Sequence, residues 1–165
     1  MFDKDVIELG ARTLTACRAG GLHAATAESC TGGLICALLS AVPGSSDVLE
    51  RGFVTYANRA KTEMLGVPME LIERHGAVSE DVARAMAEGV LAHSPADISV
   101  AVTGIAGPGG GTPDKPVGLV HIAAARTGFQ TRHRRFVFEG DRHQVRLAAV
   151  RAALEMVLSL AGEEG

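Results

Sequence analysis

Ser29, Cys30 and Thr31 carry nucleophilic atoms and stand together between a predicted strand and a predicted helix. The strand is predicted over residues 23–26, and the helix is predicted over the apolar residues 34–39. The first N–H groups of a helix have no internal partner, and the helix dipole is positive at that end. The position therefore favours an anion, or the oxyanion that forms when a carbonyl group is attacked.

Two glycines, Gly32 and Gly33, follow these side chains and would let a ligand come close to the main chain. Cys30 competes with Ser29 as the nucleophile, because a thiol at a helix start is expected to have a lowered pKa. The alternative without chemistry is that Ser29 or Thr31 only caps the helix.

Lys61 is the candidate base, five residues after Tyr56 in a segment that follows a second predicted strand. A serine hydroxyl is a poor nucleophile until its proton is removed, and a desolvated lysine with a lowered pKa can remove it. Ser29 and Lys61 would then replace the more common serine/histidine arrangement. The competing interpretation is a solvated lysine on a helix surface, which is the usual place for this residue type.

A glycine-rich loop over residues 103–111 leaves a third predicted strand and offers many main-chain donors with little side-chain obstruction. Such a loop suits a phosphate group or a flat ring that approaches the backbone. It is not a P-loop, because the chain has no Gly-Lys dipeptide, and it lacks the G-x-G-x-x-G spacing of dinucleotide folds. The alternative is a flexible connection between strands.

Strands and helices alternate along the chain, which predicts one three-layer α/β/α domain with a mixed, mostly parallel sheet in which one hairpin supplies the antiparallel pairing. Ligands of such folds bind beyond the carboxyl ends of the strands, where we expect the three loops to converge. The predicted helices cover residues 3–20, 34–42, 58–65, 68–74, 79–90 and 142–161, and the predicted strands cover residues 23–26, 51–56, 97–102, 118–125 and 131–138.

The composition indicates a single globular domain over residues 1–165, with 47% hydrophobic residues and a formal net charge of -3. The acidic balance, one tyrosine and no tryptophan give poor platforms for phosphates and stacked bases, so nucleic-acid binding is not expected. Three cysteines in apolar segments indicate reduced thiols. The sequence shows no signal peptide or membrane-spanning run, and we expect a cytoplasmic protein without membrane contact.

Metal binding is not expected, because the six histidines lack paired-ligand spacing and the cysteines lack a C-x-x-C motif. Sheet edges and apolar helix faces favour a homo-oligomer, and a dimer is the simplest form.

Five segments, in the same order along the chain, resemble the CinA C-terminal-domain family and cover nearly all of the sequence. They are Ala27-Glu28-Ser29-Cys30-Thr31-Gly32-Gly33; Gly52-Phe53-Val54-Thr55-Tyr56-Ala57-Asn58 with Lys61 and Leu65-Gly66-Val67; Gly76-Ala77-Val78-Ser79-Glu80; Thr103-Gly104-Ile105-Ala106-Gly107-Pro108 with Lys115-Pro116-Val117-Gly118; and Phe138-Glu139-Gly140-Asp141-Arg142 with Arg146. The chain resembles the stand-alone, PncC-like members, and we expect that form, without the larger N-terminal pyrophosphatase-like domain of full-length CinA proteins.

The resemblance implies a three-layer α/β/α fold and hydrolysis of the carboxamide of nicotinamide mononucleotide to nicotinate mononucleotide and ammonia, in pyridine nucleotide salvage. It implies that Ser29 is the acylated nucleophile, that Lys61 is its base and that Tyr56 supports the proton transfer. Backbone N–H groups from Thr31 to Gly33 would hold the oxyanion. No metal or organic cofactor is required.

The residues expected to bind this pyridine nucleotide lie after Ser29, beside Lys61, in the glycine loop and in the last helix. They are Thr31, Gly32, Gly33, Asn58, Thr103, Gly104, Gly107, Gly109, Arg142 and Arg146. The glycine loop, with Arg142 or Arg146, is expected to hold the phosphate and ribose. The alternative function is a non-catalytic nucleotide-binding or regulatory module of the competence/damage-inducible type, which keeps the pocket without the chemistry.

Overall fold

The middle layer of the molecule is a five-stranded sheet in a computed structural model that describes residues 2–164. Its strands are β1 (Ala24–Glu28), β2 (Leu49–Val54), β3 (Ile98–Gly104), β4 (Leu119–Arg126) and β5 (Arg132–Val137), in the spatial order β2-β1-β3-β4-β5. β1 pairs in parallel with β2 and β3, whereas β4 is antiparallel to both β3 and β5. Four strands therefore run in one direction and β4 alone runs in the other.

Among the described residues, six α-helices cover the two faces of this sheet. They are α1 (Lys4–Ala19), α2 (Leu34–Ser40), α3 (Asn58–Leu65), α4 (Met69–His75), α5 (Glu80–Ala92) and α6 (Arg142–Ala161). α1, α2 and α6 pack on one face, and α3, α4 and α5 pack on the other. The predicted mixed α/β/α fold is confirmed, although β4 makes two antiparallel pairings where one hairpin was expected. No helix in residues 2–164 combines the length and apolar character needed to cross a bilayer.

Alternation along the central strands decides which layer each side chain meets. In β3, Val100 and Val102 pack into the cluster with α1 and α6, whereas Ala101 packs into the cluster with α5. Alanines also face α5 from β1 and β4, at Ala25 and Ala123. Small side chains on this face let α5, and the loop that precedes it, lie close to the sheet.

The carboxyl ends of β1, β2 and β3 lie at one edge of the sheet because these three strands are parallel. The turn after Glu28, the segment before α3 and the glycine-rich loop all leave from this edge. The predicted convergence of the three loops is therefore confirmed. Lys61 lies in the first turn of α3, which begins only four residues after β2 ends at Val54.

Candidate active site

Ser29 and Lys61 meet at this sheet edge, as the chemistry predicted for them requires. Lys61 Nζ lies 3.1 Å from Ser29 Oγ. The Lys61 side chain is almost completely buried, with 1% of its surface exposed, and Ser29 is 9% exposed. The alternative of a solvated helix lysine is therefore wrong.

The surroundings of Lys61 Nζ suit a neutral amine. Besides Ser29 Oγ, Nζ contacts two backbone carbonyl oxygens, of Thr55 at 2.9 Å and of Tyr56 at 3.3 Å. Within residues 2–164 it has no carboxylate partner, and burial lowers the pKa of Lys61 below its ordinary value. A neutral amine has two N–H donors and one lone pair. The two carbonyls accept the donors, and the lone pair is left for the proton of Ser29.

Glu28 is the functional residue that sequence reasoning missed, although it directly precedes Ser29. Its carboxylate is fully buried and accepts four hydrogen bonds. The donors are the hydroxyl of Thr26 (3.2 Å) and the N–H groups of Gly33 (3.1 Å), Ile35 (3.0 Å) and Cys36 (2.9 Å). Glu28 therefore occupies the start of α2.

The alternative in which Ser29 or Thr31 caps α2 is consequently wrong. The helix begins at Leu34, after Gly33 at φ +99° and Gly32 at φ +58°, a backbone region that favours glycine. These two glycines carry the chain from Ser29 into the helix, and the Ser29 hydroxyl is left directed to Lys61 rather than to the helix start.

The expected oxyanion donors need a correction for the same reason. The N–H of Gly32 donates to Ser29 O at 3.0 Å, and the N–H of Gly33 donates to Glu28. Neither group is free to hold an oxyanion. The turn retains the N–H groups of Cys30 and Thr31, for which residues 2–164 provide no backbone acceptor.

Cys30 does not have the lowered pKa expected of a thiol at a helix start. It is buried, at 6% exposure, and burial raises the pKa of the thiol to about 11. The helix begins four residues later, at Leu34, and Glu28 already occupies its start. Cys30 is therefore a weak competitor of Ser29 for the role of nucleophile.

Arg146, on α6, holds the turn that carries Ser29. Its Nε donates to Cys30 O at 3.0 Å, and its Nη2 donates to Thr31 O at 3.1 Å. Both contacts are to the backbone, and Arg146 does not line the pocket beside Ser29. This geometry fits a residue that supports the turn, rather than the phosphate contact expected for it.

Arg142 and Tyr56 form a contact at the mouth of the site. Arg142 Nη2 lies 3.1 Å from the Tyr56 hydroxyl, and Arg142 Nη1 donates to Gly107 O at 2.7 Å. The Tyr56 side chain is 60% exposed. Its hydroxyl is thus paired with Arg142, and only its backbone carbonyl contacts Lys61.

The pocket beside Ser29 and Lys61 has a volume of about 220 Å³ and is open to solvent. It brings together seven of the predicted site residues: Ser29, Tyr56, Asn58, Lys61, Thr103, Gly104 and Arg142. Six others do not line it: Thr31, Gly32, Gly33, Gly107, Gly109 and Arg146.

Ala77 and Val78 also line this pocket, and sequence reasoning gave them no role. They belong to the loop before α5, and Thr103 Oγ1 donates to Ala77 O at 2.8 Å. The signal that would have found them is the Gly76-Ala77-Val78-Ser79-Glu80 segment, which was used for the family resemblance alone.

A larger cavity of about 390 Å³ lies between α5, β5 and α6 and contains none of the predicted site residues. Two of its basic side chains are neutralised, Arg84 by Glu80 at 2.8 Å and Arg132 by Glu163. It has no serine and lysine in contact. The smaller pocket is therefore the candidate active site.

Comparisons with known proteins agree with this fold over almost the whole chain. The family model for the CinA C-terminal domain matches residues 7–161. A CinA-like protein from Akkermansia muciniphila is 56% identical over 143 residues, which are 87% of this chain and 34% of that protein. The chain thus spans about a third of the length of the curated relatives it matches.

Solved structures extend the comparison. The competence/damage inducible protein CihA from Agrobacterium tumefaciens is 50% identical with a TM-score of 0.95, over 97% of this chain and 98% of that one. A competence-damaged protein (CinA) superfamily protein from Escherichia coli is 36% identical with a TM-score of 0.90, over 97% of this chain and 94% of that one.

Proposed function

The chain belongs to the CinA C-terminal-domain family, and from that premise we propose that it hydrolyses the carboxamide of nicotinamide mononucleotide to nicotinate mononucleotide and ammonia. The observation that carries the proposal is the contact between Lys61 Nζ and Ser29 Oγ, 3.1 Å, in surroundings without a counter-ion for the lysine. A buried lysine of this kind has little value for stability but is suited to act as a base.

In the first step, Lys61 takes the proton of Ser29 while Ser29 Oγ attacks the carboxamide carbon. The carbonyl oxygen becomes an oxyanion. We assign its stabilisation to the N–H groups of Cys30 and Thr31, because those of Gly32 and Gly33 are occupied. An oxyanion donor of this kind contributes about 3 kcal/mol to the transition state.

In the second step, the lysine ammonium gives its proton to the amide nitrogen, the C–N bond breaks and ammonia leaves. The nicotinate is then an ester of Ser29. A water molecule, deprotonated by the neutral Lys61, attacks the ester carbon. The bond between Ser29 Oγ and that carbon breaks, Lys61 returns the proton to Oγ, and nicotinate mononucleotide leaves.

The size of the pocket fits a substrate whose amide end lies inside it and whose phosphate end lies outside. A volume of about 220 Å³ is below the usual range for pockets that enclose a drug-sized ligand. We assign the pyridine ring to the space beside Thr103 and Val78. The ribose and phosphate would extend to the mouth, where Arg142 and Asn58 stand.

Tyr56 has a narrower role in this proposal than support of the proton transfer through its hydroxyl. Its carbonyl helps to orient Lys61, and its hydroxyl pairs with Arg142 at the mouth. A Tyr56→Phe variant keeps the carbonyl and loses the hydroxyl. It should therefore raise KM for the mononucleotide more than it lowers kcat.

The decisive experiment measures ammonia release from nicotinamide mononucleotide by the pure protein and by Ser29→Ala. We expect steady release by the wild type and none above background by Ser29→Ala. The matched control is Ser46→Ala, at an exposed serine far from the pocket. If the wild type binds the mononucleotide but releases no ammonia, the amidase proposal fails and the non-catalytic nucleotide-binding module replaces it.

A further inference from the structure

Three buried hydroxyl groups of the described chain have no hydrogen-bond partner: Thr31 Oγ1, Thr55 Oγ1 and Thr62 Oγ1. A buried hydroxyl without a partner destabilises the folded state, and such groups in proteins call for an explanation. All three residues are close to Ser29 or Lys61 in the chain or in space. Thr55 differs from the other two because its backbone forms hydrogen bonds both with Glu28, the residue before Ser29, and with Lys61.

Thr55 connects the strand of the nucleophile to the base. Its N–H donates to Glu28 O at 2.9 Å, and its carbonyl oxygen accepts from Lys61 Nζ at 2.9 Å. The residue that carries the unpaired hydroxyl is therefore already in direct contact with the amine through its carbonyl group. Thr55 is completely buried, so bulk water does not satisfy this hydroxyl.

Extended by one residue beyond its last pair, Glu28 with Val54, the strand register puts Thr55 beside Ser29 on the same face of the sheet. Ala27 pairs with Phe53, and both pack into the cluster that faces α5. Side chains two residues apart on a strand share a face. Ser29 and Thr55 follow these two residues by two positions, on neighbouring strand ends that are about 4.8 Å apart.

We propose that Thr55 is a positioning residue whose hydroxyl accepts a hydrogen bond from Lys61 only after the lysine has taken the proton of Ser29. The inference rests on the proposed serine/lysine mechanism. That mechanism begins with a neutral amine, whose two N–H groups go to the carbonyls of Thr55 and Tyr56 and whose lone pair faces Ser29, the three atoms that Nζ contacts.

Protonation gives the amine a third N–H at the moment when Ser29 Oγ becomes bonded to the carbonyl carbon and is a poorer acceptor. The Thr55 hydroxyl supplies an acceptor for that third N–H until the proton passes to the leaving nitrogen. The hydroxyl is thus unpaired in the ground state and paired near the transition state. Interactions of this kind raise kcat without tightening substrate binding.

The test compares Thr55→Val, which removes the hydroxyl at nearly constant shape, with Thr55→Ser, which keeps it. We expect Thr55→Val to have a higher Tm than the wild type, by about 2–6 °C, because an unsatisfied buried group is gone. We also expect kcat to fall about 10- to 100-fold with little change in KM. Thr55→Ser should recover most of kcat.

The matched control is Thr62→Val, which removes another unpaired buried hydroxyl, from the residue that follows Lys61 on α3. It should raise Tm in the same way and leave kcat unchanged. Equal loss of kcat in Thr55→Val and Thr62→Val would overturn the inference, as would a Thr55→Val protein with the kcat of the wild type.

The pH profile of kcat separates this role from a general disturbance of the site. Loss of an acceptor for the ammonium lowers the pKa of Lys61, so the acid limb of Thr55→Val should move to lower pH. The other charged or titratable groups that line the pocket with Lys61 are Cys30, Tyr56 and Arg142, and all are unchanged in the variant. A limb that moves to higher pH contradicts the inference.

A fluorophosphonate probe that labels active serines distinguishes failure of this inference from failure of the proposed function. Labelling also requires Ser29 to lose its proton to Lys61, but it does not depend on the natural substrate. If the wild type releases no ammonia yet labels at Ser29, slower labelling of Thr55→Val than of Thr62→Val still supports the role of Thr55. Equal labelling rates overturn it.

Discussion

Glu28 and Lys61 are two buried ionisable side chains that flank Ser29 from opposite faces of the sheet, and their surroundings are opposite in kind. Glu28 is fully buried and receives four hydrogen bonds, three of them from N–H groups at the start of α2. Lys61 is 1% exposed, and the hydrogen-bond partners of its Nζ among residues 2–164 are all neutral oxygen atoms.

The difference indicates what each residue contributes. The four hydrogen bonds to the Glu28 carboxylate fix the turn and the helix around Ser29. A lysine without a counter-ion is biased towards its neutral form, which can take a proton. In the proposed mechanism one face of the sheet edge thus provides rigidity and the other provides the base, and each of the following predictions tests that division.

The largest expected effect is on turnover, from removal of the amine. Lys61→Met should lower kcat for ammonia release about 10²- to 10⁴-fold, because Ser29 loses its base. Circular dichroism should show an unchanged fold. The control is Lys4→Met, at an exposed lysine on α1, which should keep full activity. Normal turnover by Lys61→Met would place the reactive base elsewhere.

The next largest effect is on stability and comes from Glu28, on the other face of the sheet. Glu28→Gln should lower the free energy of unfolding by about 2–4 kcal/mol. The amide carries no charge, and its one acceptor oxygen would have to serve the four donors that share two carboxylate oxygens in the wild type. Urea denaturation measures the change. Glu88→Gln, at an exposed position of α5, should stay within about 0.5 kcal/mol of the wild type. If Glu28→Gln is as stable as Glu88→Gln, Glu28 does not stabilise the turn and the start of α2.

A smaller effect is the pH dependence of stability that Lys61 creates. Burial lowers its pKa in the folded protein, so the unfolded chain binds this proton more tightly. The resulting destabilisation is complete below the folded-state pKa and disappears above the unfolded-state pKa, about 10.4.

Between the folded-state and unfolded-state pKa values of Lys61, the free energy of unfolding of the wild type should therefore rise as the pH rises. Lys61→Met has no amine and should not show this rise. The measurement is urea denaturation of both proteins at several pH values up to about 10. The advantage of Lys61→Met over the wild type should shrink as pH rises, and an advantage that grows with pH contradicts a lowered pKa.

The smallest effect concerns His121, a buried ionisable side chain on β4. Burial and the neighbouring His133, whose Nε2 is 2.8 Å from its Nδ1, lower the pKa of His121 to about 4. Lys115, Arg135 and Glu80 are the other charged groups that act on it. The unfolded chain binds this proton below about pH 6.5, so stability should fall as the pH is lowered from there to about 4.

His121→Gln should flatten this acid limb of the stability curve, and His143→Gln, at an exposed position on α6, should not. Thermal unfolding across that pH range checks the prediction. An acid limb that is identical in the wild type and His121→Gln would show that His121 does not resist protonation in the folded state.

The residues alone left the meeting of Ser29 with Lys61 as one of two interpretations, and the family resemblance favoured it. The layers of the fold and the convergence of the three loops could be predicted from the sequence itself. Those features depend on periodicity and on the rule that parallel strands present their carboxyl ends together. The side of the sheet on which each helix packs does not follow from local pattern. The second antiparallel pairing of β4 was missed because strand neighbours are decided by long-range contacts.

The errors in the turn after β1 have one physical origin, the position at which α2 begins. Two glycines with positive φ delay the helix to Leu34, and Glu28 reaches forward to occupy its first N–H groups. Cys30 is therefore buried rather than activated, and Gly33 is a donor to Glu28 rather than to an oxyanion. A carboxylate that acts across five to eight residues gives no local signal.

Arg146 links distant parts of the chain, because its contacts with the carbonyls of Cys30 and Thr31 span 116 and 115 positions. Ser29 and Lys61 are therefore synthesised well before the arginine that supports the turn beside Ser29. We expect the turn that carries Ser29 to stay unsupported in a growing chain until α6 docks. A chain that stops before Arg146 would then lack the two contacts that hold this turn against α6.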